Sequence, residues 1–366
     1  MMADVSNIPF NEITRDWLIE QIANQSAIEL VTINALELAE ADFSGGVFQR
    51  VTFSDSNAIG INFRDAVLEN VVLNGIDMSG CDFSGAELTD CIFSNVNLSK
   101  ASFVDATISG CTFITDNIPV KDESEVRITF ADMEIPEKLS ETLSQNGILG
   151  FKRGNANFHY ADFSRSKIMD STFDEVSLDA AILKEANIEY VTIENSHCRQ
   201  LQAADAQFHR LSISNSDLSN TRFVTSEFRD CAFNSCTLDG INFNDTTIEV
   251  VQFEDVDFHS TKIPLPVDLR ESVFIGCNLQ GIDLSRRDLT DTEFQDCNLI
   301  DATFTDATFE QTILRDCQFE SVDLSGVKLV NMDFQNAQLK NANFARCHFE
   351  NCDFSESDLR DANFQA

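Results

Sequence analysis

Large apolar residues recur every five positions along most of the chain, and a small or β-branched residue lies two positions before each of them. Residues 76–113 show the pattern as IDMSG, CDFSG, AELTD, CIFSN, VNLSK, ASFVD, ATISG and CTF. We call the large central position i. A period of five fits neither an amphipathic helix nor a simple strand. It predicts a β-solenoid of short extended segments that bury positions i−2 and i against neighbouring units.

Two residue counts support this register. Of the 31 Phe in the sequence, 28 occupy position i. Of the 14 Gly, 10 occupy position i+2, where a tight corner requires a positive φ. The chain is therefore expected to turn after each five residues.

The fives resemble the pentapeptide-repeat family, whose pattern is A(D/N)LXX. Matching stretches are SDLSN at 216–220, ADFSR at 161–165 and ANFAR at 342–346, and the pattern covers about 300 of the 366 residues. The resemblance implies a right-handed, four-sided (quadrilateral) β-helix with one five on each side. We therefore expect an all-β solenoid of pentapeptide repeats with an N-terminal capping helix and one helical insertion.

Interruptions of the repeat suggest a domain organisation. Residues 1–30 form an N-terminal cap, 31–118 a first solenoid block, 119–155 an insertion and 156–366 a second block. A register slip of one residue falls at 264–268, beside two prolines, and is expected to be a bulge at a corner.

The predicted cap is a short amphipathic helix. Asn11 is the expected N-cap. Ile13, Trp17, Leu18 and Ile22 form an apolar stripe at helical spacing, which suits a helix that covers the open end of a solenoid.

The insertion at 119–155 has the sequence features of a short helix that begins near Pro136. It either covers the corner where two solenoid blocks meet or projects as an element that recognises a partner. In the second case the expected contact residues are Arg127, Phe130, Met133, Leu139, Leu143 and Ile148.

Residues twenty apart are expected to stack in a four-sided coil, and two such ladders stand out. One consists of Phe43, Phe63, Phe83 and Phe103, and the other of Cys277, Cys297 and Cys317. Ten of the 11 Cys lie at i−2. This position favours the interpretation that they are small buried apolar residues over the interpretation that they form a metal or redox ladder. Buried free thiols are typical of a reducing compartment, so we expect a cytoplasmic protein.

The charge of the chain argues against several functions. The formal net charge is −36, and no basic stripe is visible, so direct binding of nucleic acid is not expected. The sequence shows no pattern typical of a signal peptide or a membrane span. The five His are scattered at outward positions without metal-ligand spacing. A convex solenoid also offers no concave, desolvated pocket, so we expect no catalytic residues, metal or cofactor.

Regularly spaced surface carboxylates favour a binding protein. Such an array resembles the charge pattern of duplex DNA and would complement a partner protein with a basic surface. Pentapeptide-repeat proteins of the Qnr type are dimeric DNA mimics that engage DNA gyrase, a bacterial type II topoisomerase. This resemblance implies gyrase as a candidate partner. An uncapped last coil suggests either a homodimer through the C-terminal end or a truncated natural chain. The alternative is a scaffold or effector whose specificity lies in residues 119–155.

Overall fold

The structure is a computed structural model that describes residues 13–115, 156–259, 265–266 and 268–365. These residues divide into two compact units. The first unit comprises Met1–Ala161 and Asp174–Ser177, and the second comprises Asp162–Phe173 and Leu178–Ala366. Both units are built from very short parallel strands, as the five-residue pattern predicts.

The first unit begins with helix α1, Arg15–Ala23. Its N-cap is Thr14, whose side chain accepts a hydrogen bond of 3.2 Å from the backbone N–H of Trp17. The expected N-cap Asn11 was therefore wrong, because the helix starts later and Thr14 satisfies the free N–H. Leu18 is fully buried, and α1 contacts the first strand of the solenoid.

Ten strands follow in the first unit and form two parallel rows. The odd strands pair in the order β1-β3-β5-β7-β9 and the even strands in the order β2-β4-β6-β8-β10. Their bounds are β1 Ile28–Glu29, β2 Thr32–Asn34, β3 Val47–Gln49, β4 Thr52–Ser54, β5 Val67–Glu69, β6 Val72–Asn74, β7 Glu87–Thr89, β8 Ile92–Ser94, β9 Thr107–Ser109 and β10 Thr112–Ile114.

The remaining strands repeat this arrangement in the rows β11-β13-β15-β17-β19, β12-β14-β16-β18-β20-β21-β22-β24 and β23-β25-β26. Their bounds are β11 Lys167–Met169, β12 Thr172–Asp174, β13 Asn187–Glu189, β14 Thr192–Glu194, β15 Gln207–His209, β16 Ser212–Ser214, β17 Glu227–Arg229, β18 Ala232–Asn234, β19 Thr247–Glu249, β20 Gln252–Glu254, β21 Val273–Ile275, β22 Glu293–Gln295, β23 Phe309–Glu310, β24 Ile313–Arg315, β25 Lys328–Val330 and β26 His348–Glu350.

Strand pairing fixes the length of one coil. Phe48 pairs with Leu68, and Phe208 pairs with Phe228, so partners lie 20 residues apart. One coil therefore holds four fives. Between β20 and β21 the offset rises to 21, since Gln252 pairs with Val273. The extra residue falls within the part of the chain where the sequence shows its slip.

Almost every corner residue at i+2 has a backbone in the left-handed region. All ten Gly at this position have φ between 60° and 75°, as expected, but 47 non-glycine residues in the described part of the chain also have positive φ. Of these 47, 24 are Asp or Asn, the side chains that tolerate this region best. The corner N–H is bonded to the next coil, as from Asn70 to the carbonyl of Thr89 at 2.9 Å. This regular bond offsets the cost of the left-handed backbone where glycine is absent.

The inward ladders lie where the sequence predicts them. Phe63 and Phe83 stack with ring centroids 4.9 Å apart, and so do Phe83 and Phe103, whereas Phe43 meets Phe63 edge to face at 5.6 Å. All four side chains are fully buried. Burial of each ring contributes roughly 1.5–3 kcal/mol, and the ring contacts add to that.

The coil register of the first unit survives the long break in the repeat. Asn97 forms a parallel bridge with Asn157, an offset of 157 − 97 = 60 residues. Subtracting one coil of 20 leaves 40 residues, which is the length of 116–155. The N–H of Ala156 donates a 2.7 Å hydrogen bond to Oγ1 of Thr115, so the chain leaves and re-enters the coil at adjacent points.

Candidate interaction surface

The predicted contact residues of the insertion cannot be placed. They are Arg127, Phe130, Met133, Leu139, Leu143 and Ile148, and all six lie outside the described residues. The surfaces that the structure does describe belong to the coils themselves.

Aspartates at i−1 form the most regular surface feature of both units. Each carboxylate accepts a hydrogen bond from the backbone N–H two residues later, as Asp283 does from Ser285 at 2.9 Å. The same turn occurs at Asp323 with Ser325 and at Asp353 with Ser355. The bond fixes the carboxylate at the surface, because the acceptor is held by the backbone of its own corner.

These hydrogen bonds also lower the pKa of several of the carboxylates. The side chain and backbone N–H of Ser285 lower the pKa of Asp283 below its ordinary value. Hydrogen bonds lower the pKa of Asp42, Asp323, Asp353 and Asp358 in the same way, the last to about 2. Each bond favours the charged form of the acid.

Amide and hydroxyl side chains separate many of these acids along a column. Asn62 Nδ2 donates to Asp42 at 2.9 Å, and Asp82 follows one coil later in the same column. In the second unit, Thr303 donates to Asp283 at 3.0 Å and Asn343 donates to Asp323 at 2.9 Å. Because coils repeat at about 4.8 Å, alternation places like charges about 10 Å apart and reduces their repulsion.

The second unit carries one column of mixed charge, formed by Glu189, His209, Arg229 and Glu249. Nδ1 of His209 lies 3.7 Å from Glu189, and its Nε2 lies 3.4 Å from Asp230. Arg229 pairs with Glu249 at 2.8 Å. The four side chains line a shallow groove of about 430 Å³ on strands β13, β15, β17 and β19.

The sequence analysis did not anticipate this groove, although it is not the concave, desolvated pocket whose absence was expected. Sequence reasoning missed it because the His residues were judged by their local spacing. A signal was present, since positions 189, 209, 229 and 249 are twenty apart and would have been recognised as one column. The groove is polar and open, so it does not provide the desolvated setting that strongly perturbed catalytic groups require.

The cysteines serve the packing of the core. Sγ of Cys297 donates to the carbonyl of Phe274 at 3.3 Å, and Sγ of Cys317 donates to that of Phe294 at 3.3 Å. Burial raises the pKa of Cys231 and of Cys236 to about 11. A protonated thiol is a poor nucleophile and metal ligand. Among the described residues, no group of three or more His, Cys, Asp and Glu is arranged to hold a metal ion.

A parallel solenoid with four five-residue segments in each coil, and with Asp or Asn at many of the outward positions that precede a large apolar residue, defines a repeat protein of one class. The sequence models of two family descriptions match the chain: "Pentapeptide repeat region" at 267–344, and "Pentapeptide repeats (8 copies)" at 37–75, 47–85, 76–113 and 333–366. These ranges of the chain carry pentapeptide repeats, and the chain resembles the pentapeptide-repeat proteins in its sequence pattern.

Similar solved structures include HetL, a pentapeptide repeat protein involved in heterocyst differentiation regulation from the cyanobacterium Nostoc sp. It is 12% identical, with a TM-score of 0.17, over 96% of this chain and 97% of HetL. Trypsin-treated QnrB1, a plasmid-mediated fluoroquinolone resistance protein, is 15% identical, with a TM-score of 0.20, over 81% of this chain and 90% of QnrB1. At these TM-scores neither structure bears on the function of this chain. No curated protein matches the sequence significantly.

The described residues contain no helix with the length and apolarity that crossing a bilayer requires.

Proposed function

We propose that this protein is a non-enzymatic, cytoplasmic binding protein that presents rows of fixed carboxylates to a partner protein with a basic surface. In this role it mimics the charge array of duplex DNA, and DNA gyrase is the specific candidate partner. The observation that carries the proposal is the repeated turn at i−1, which holds ionised aspartates at defined positions on both units.

Rigid, ionised carboxylates suit this function because binding would not have to immobilise them. A basic protein surface that binds DNA recognises phosphates mainly by charge and position. The aspartates supply both properties, because the turns fix the carboxylates of Asp283 and Asp323 in position and a carboxylate is charged at neutral pH. A formal net charge of −36 adds long-range attraction.

The predicted homodimer through the C-terminal end has support in the last coils of the second unit. Phe349 and Phe364 remain 36% and 49% exposed there. Large exposed apolar side chains that lie together are typical of association surfaces. A dimer would double the length of the acidic surface.

The alternative function is a scaffold or effector whose specificity lies in residues 119–155. The observation that favours it is the continuous register across the insertion, since Asn97 still pairs with Asn157. A segment that the coil accommodates without distortion is free to carry a separate function.

The test is DNA supercoiling by gyrase with added protein over a salt titration. The acidic-surface proposal predicts inhibition, or protection from a quinolone, that weakens steeply between about 50 and about 200 mM salt. Absence of any effect at micromolar protein and low salt would exclude gyrase as the partner. Binding that is insensitive to salt and that disappears when residues 119–155 are deleted would favour the scaffold.

A matched pair of triple variants locates the effect. Asp283→Asn, Asp323→Asn and Asp353→Asn together remove three fixed charges but keep an acceptor for each turn. The control variant Asp301→Asn, Asp306→Asn and Asp361→Asn changes the charge equally at left-handed corners, which Asn tolerates. The proposal predicts that the first variant loses more of the effect on gyrase than the control variant does. Equal losses would show that only total charge matters.

A further inference from the structure

The interior of the second unit has a gap where two central positions carry small side chains. Every other described position i of this unit carries Phe, Leu or Ile, but Cys198 and Ala203 occupy consecutive i positions of one coil. Strand pairing places Ala203 in register between Leu183 and Phe223 of the neighbouring coils. All of these side chains are buried. The coil that contains Cys198 and Ala203 therefore fills less of the interior than its neighbours do.

A cavity of about 30 Å³ lies beside these small residues, within the second unit. Its lining consists of 13 side chains, all of them Phe, Leu, Ile or Val, and each is at most 7% exposed. Leu183 and Phe223 belong to the lining, together with Leu178, Ile188 and Phe208. The lining residues occupy inward positions of described coils, so the coils themselves enclose the cavity.

Water is a poor occupant of this cavity. A buried water needs about two to four polar partners, and none of the described side chains that line the cavity is polar. The backbone groups of the small residues are already bonded. The N–H of Ala203 donates to the carbonyl of Arg222 at 2.9 Å, and its carbonyl accepts from Oγ of Ser226. The carbonyl of Cys198 accepts from Oγ1 of Thr221 at 2.7 Å. An apolar cavity of this kind stays dry.

We propose that this cavity is a binding site for one small apolar molecule of the size of a noble-gas atom or a diatomic gas. Apolar contact is what such a lining supplies, so the ligand must be apolar as well. The size limit follows from the volume, because one water requires at least about 10 to 15 Å³ and the cavity offers about 30 Å³. Benzene, which fits a cavity of about 150 Å³, is too large.

A ligand of this class would restore contacts that the small side chains leave unmade. The atoms that line an empty cavity lose the contacts that a filled interior provides. The coil needs no rearrangement to accept the ligand, since its hydrogen bonds are regular at this level, as from the N–H of Cys198 to the carbonyl of Asp217 at 2.8 Å. The inference does not depend on the proposed function, because the outward carboxylates take no part in the cavity.

A xenon titration of the full-length protein tests the site, because xenon is apolar and monatomic. The isoleucine methyl groups are labelled, and their NMR resonances are followed as xenon pressure rises. We expect saturable shifts for Ile188 and Ile213, which line the cavity, and none for Ile248, which is buried in the same unit but lies outside the lining. Absence of saturable shifts, or equal shifts at all three residues, would overturn the proposal.

Ala203→Val is the variant that fills the gap, and Ala232→Val is the matched control. The control makes the same change at a half-buried outward position of β18, where a β-branched side chain suits the strand. We expect the affinity for xenon to fall at least about tenfold in Ala203→Val, because its added methyl groups take up volume that xenon needs, and to stay unchanged in the control. Undiminished affinity in a folded Ala203→Val would place xenon elsewhere and overturn the proposal. If Ala203→Val does not fold, the titration of the wild type still decides between binding and its absence.

Discussion

The even-numbered strands of the two units have the same interior and different exteriors. In both, the middle residue points inward, as Phe93 does in β8 and Phe233 in β18, and both side chains are buried. The outward neighbours differ, since Ile92 is buried in the first unit whereas Ala232 is half-exposed in the second. The comparison shows that positions i−2 and i specify the coil, whereas the positions beside i specify what the coil contacts.

The largest expected effect comes from substitutions in the interior, which the two units have in common. Phe83→Asp and Phe233→Asp should each destabilise their unit by at least about 4 kcal/mol, because each removes a buried ring and buries a charge without a partner. The measurement is the midpoint of urea unfolding, which is monitored by far-UV circular dichroism.

The controls lie at exposed outward positions of β7 in the first unit and of β16 in the second. Thr89→Asp in the first unit and Ser212→Asp in the second should change stability by no more than about 0.5 kcal/mol. A large effect in a control, or tolerance of Phe83→Asp, would contradict the assignment of inward and outward positions.

The interior could be predicted from the sequence because each coil repeats the same constraint. Phe43, Phe63, Phe83 and Phe103 stack as the twenty-residue spacing predicts, and the corner glycines have the expected positive φ. The exterior was predicted less well. The groove beside His209 depends on residues that are distant in sequence and meet only through coil stacking.

A second prediction addresses the different exteriors. Ile92→Ala should destabilise the first unit by about 2 kcal/mol, because it removes methyl groups from a buried side chain. Thr192→Ala, at the equivalent position of β14, should cost no more than about 0.5 kcal/mol, since that residue is only half-buried. Chemical denaturation measures both changes in the free energy of unfolding. Equal, small effects would mean that Ile92 is not buried in solution.

A third prediction concerns the corners, where backbone conformation limits the choice of residue. Gly240 has φ of 68°, and an added Cβ would lie 2.6 Å from Oδ1 of Asn220, so Gly240→Ala should cost about 1 kcal/mol or more. Val250 is β-branched and has φ of 54°. Val250→Gly should stabilise the second unit by about 0.5 kcal/mol, because relief of strain exceeds the entropy that glycine loses on folding.

Asp245→Gly is the control for this corner, because Asp tolerates its φ of 55° better than Val does. It should give no gain in the melting temperature, whereas Val250→Gly should raise it. A stabilisation of the same size in both variants would show that the effect of Val250→Gly does not come from its β-branched side chain.

The smallest effect concerns the fixed carboxylates that the two units share on their exteriors. The folded pKa of Asp283 lies below its unfolded value of about 3.9. Its stabilising contribution is therefore fully present above about pH 5 and is lost as the pH falls through the folded pKa. Because the group is exposed, we expect a contribution of no more than about 0.5 kcal/mol.

Melting temperatures of the wild type and Asp283→Asn, measured from about pH 6 to about pH 2, test this contribution. The difference between the two should be constant above about pH 5 and should shrink below about pH 4. Ser285→Ala, which removes the hydroxyl that lowers the pKa of Asp283, should reduce the pH dependence in the wild type and have no such effect in Asp283→Asn. A difference that does not change with pH would mean that the turn stabilises the corner without stabilising the charge, and the case for an array of aspartates held ionised by their turns would then fail.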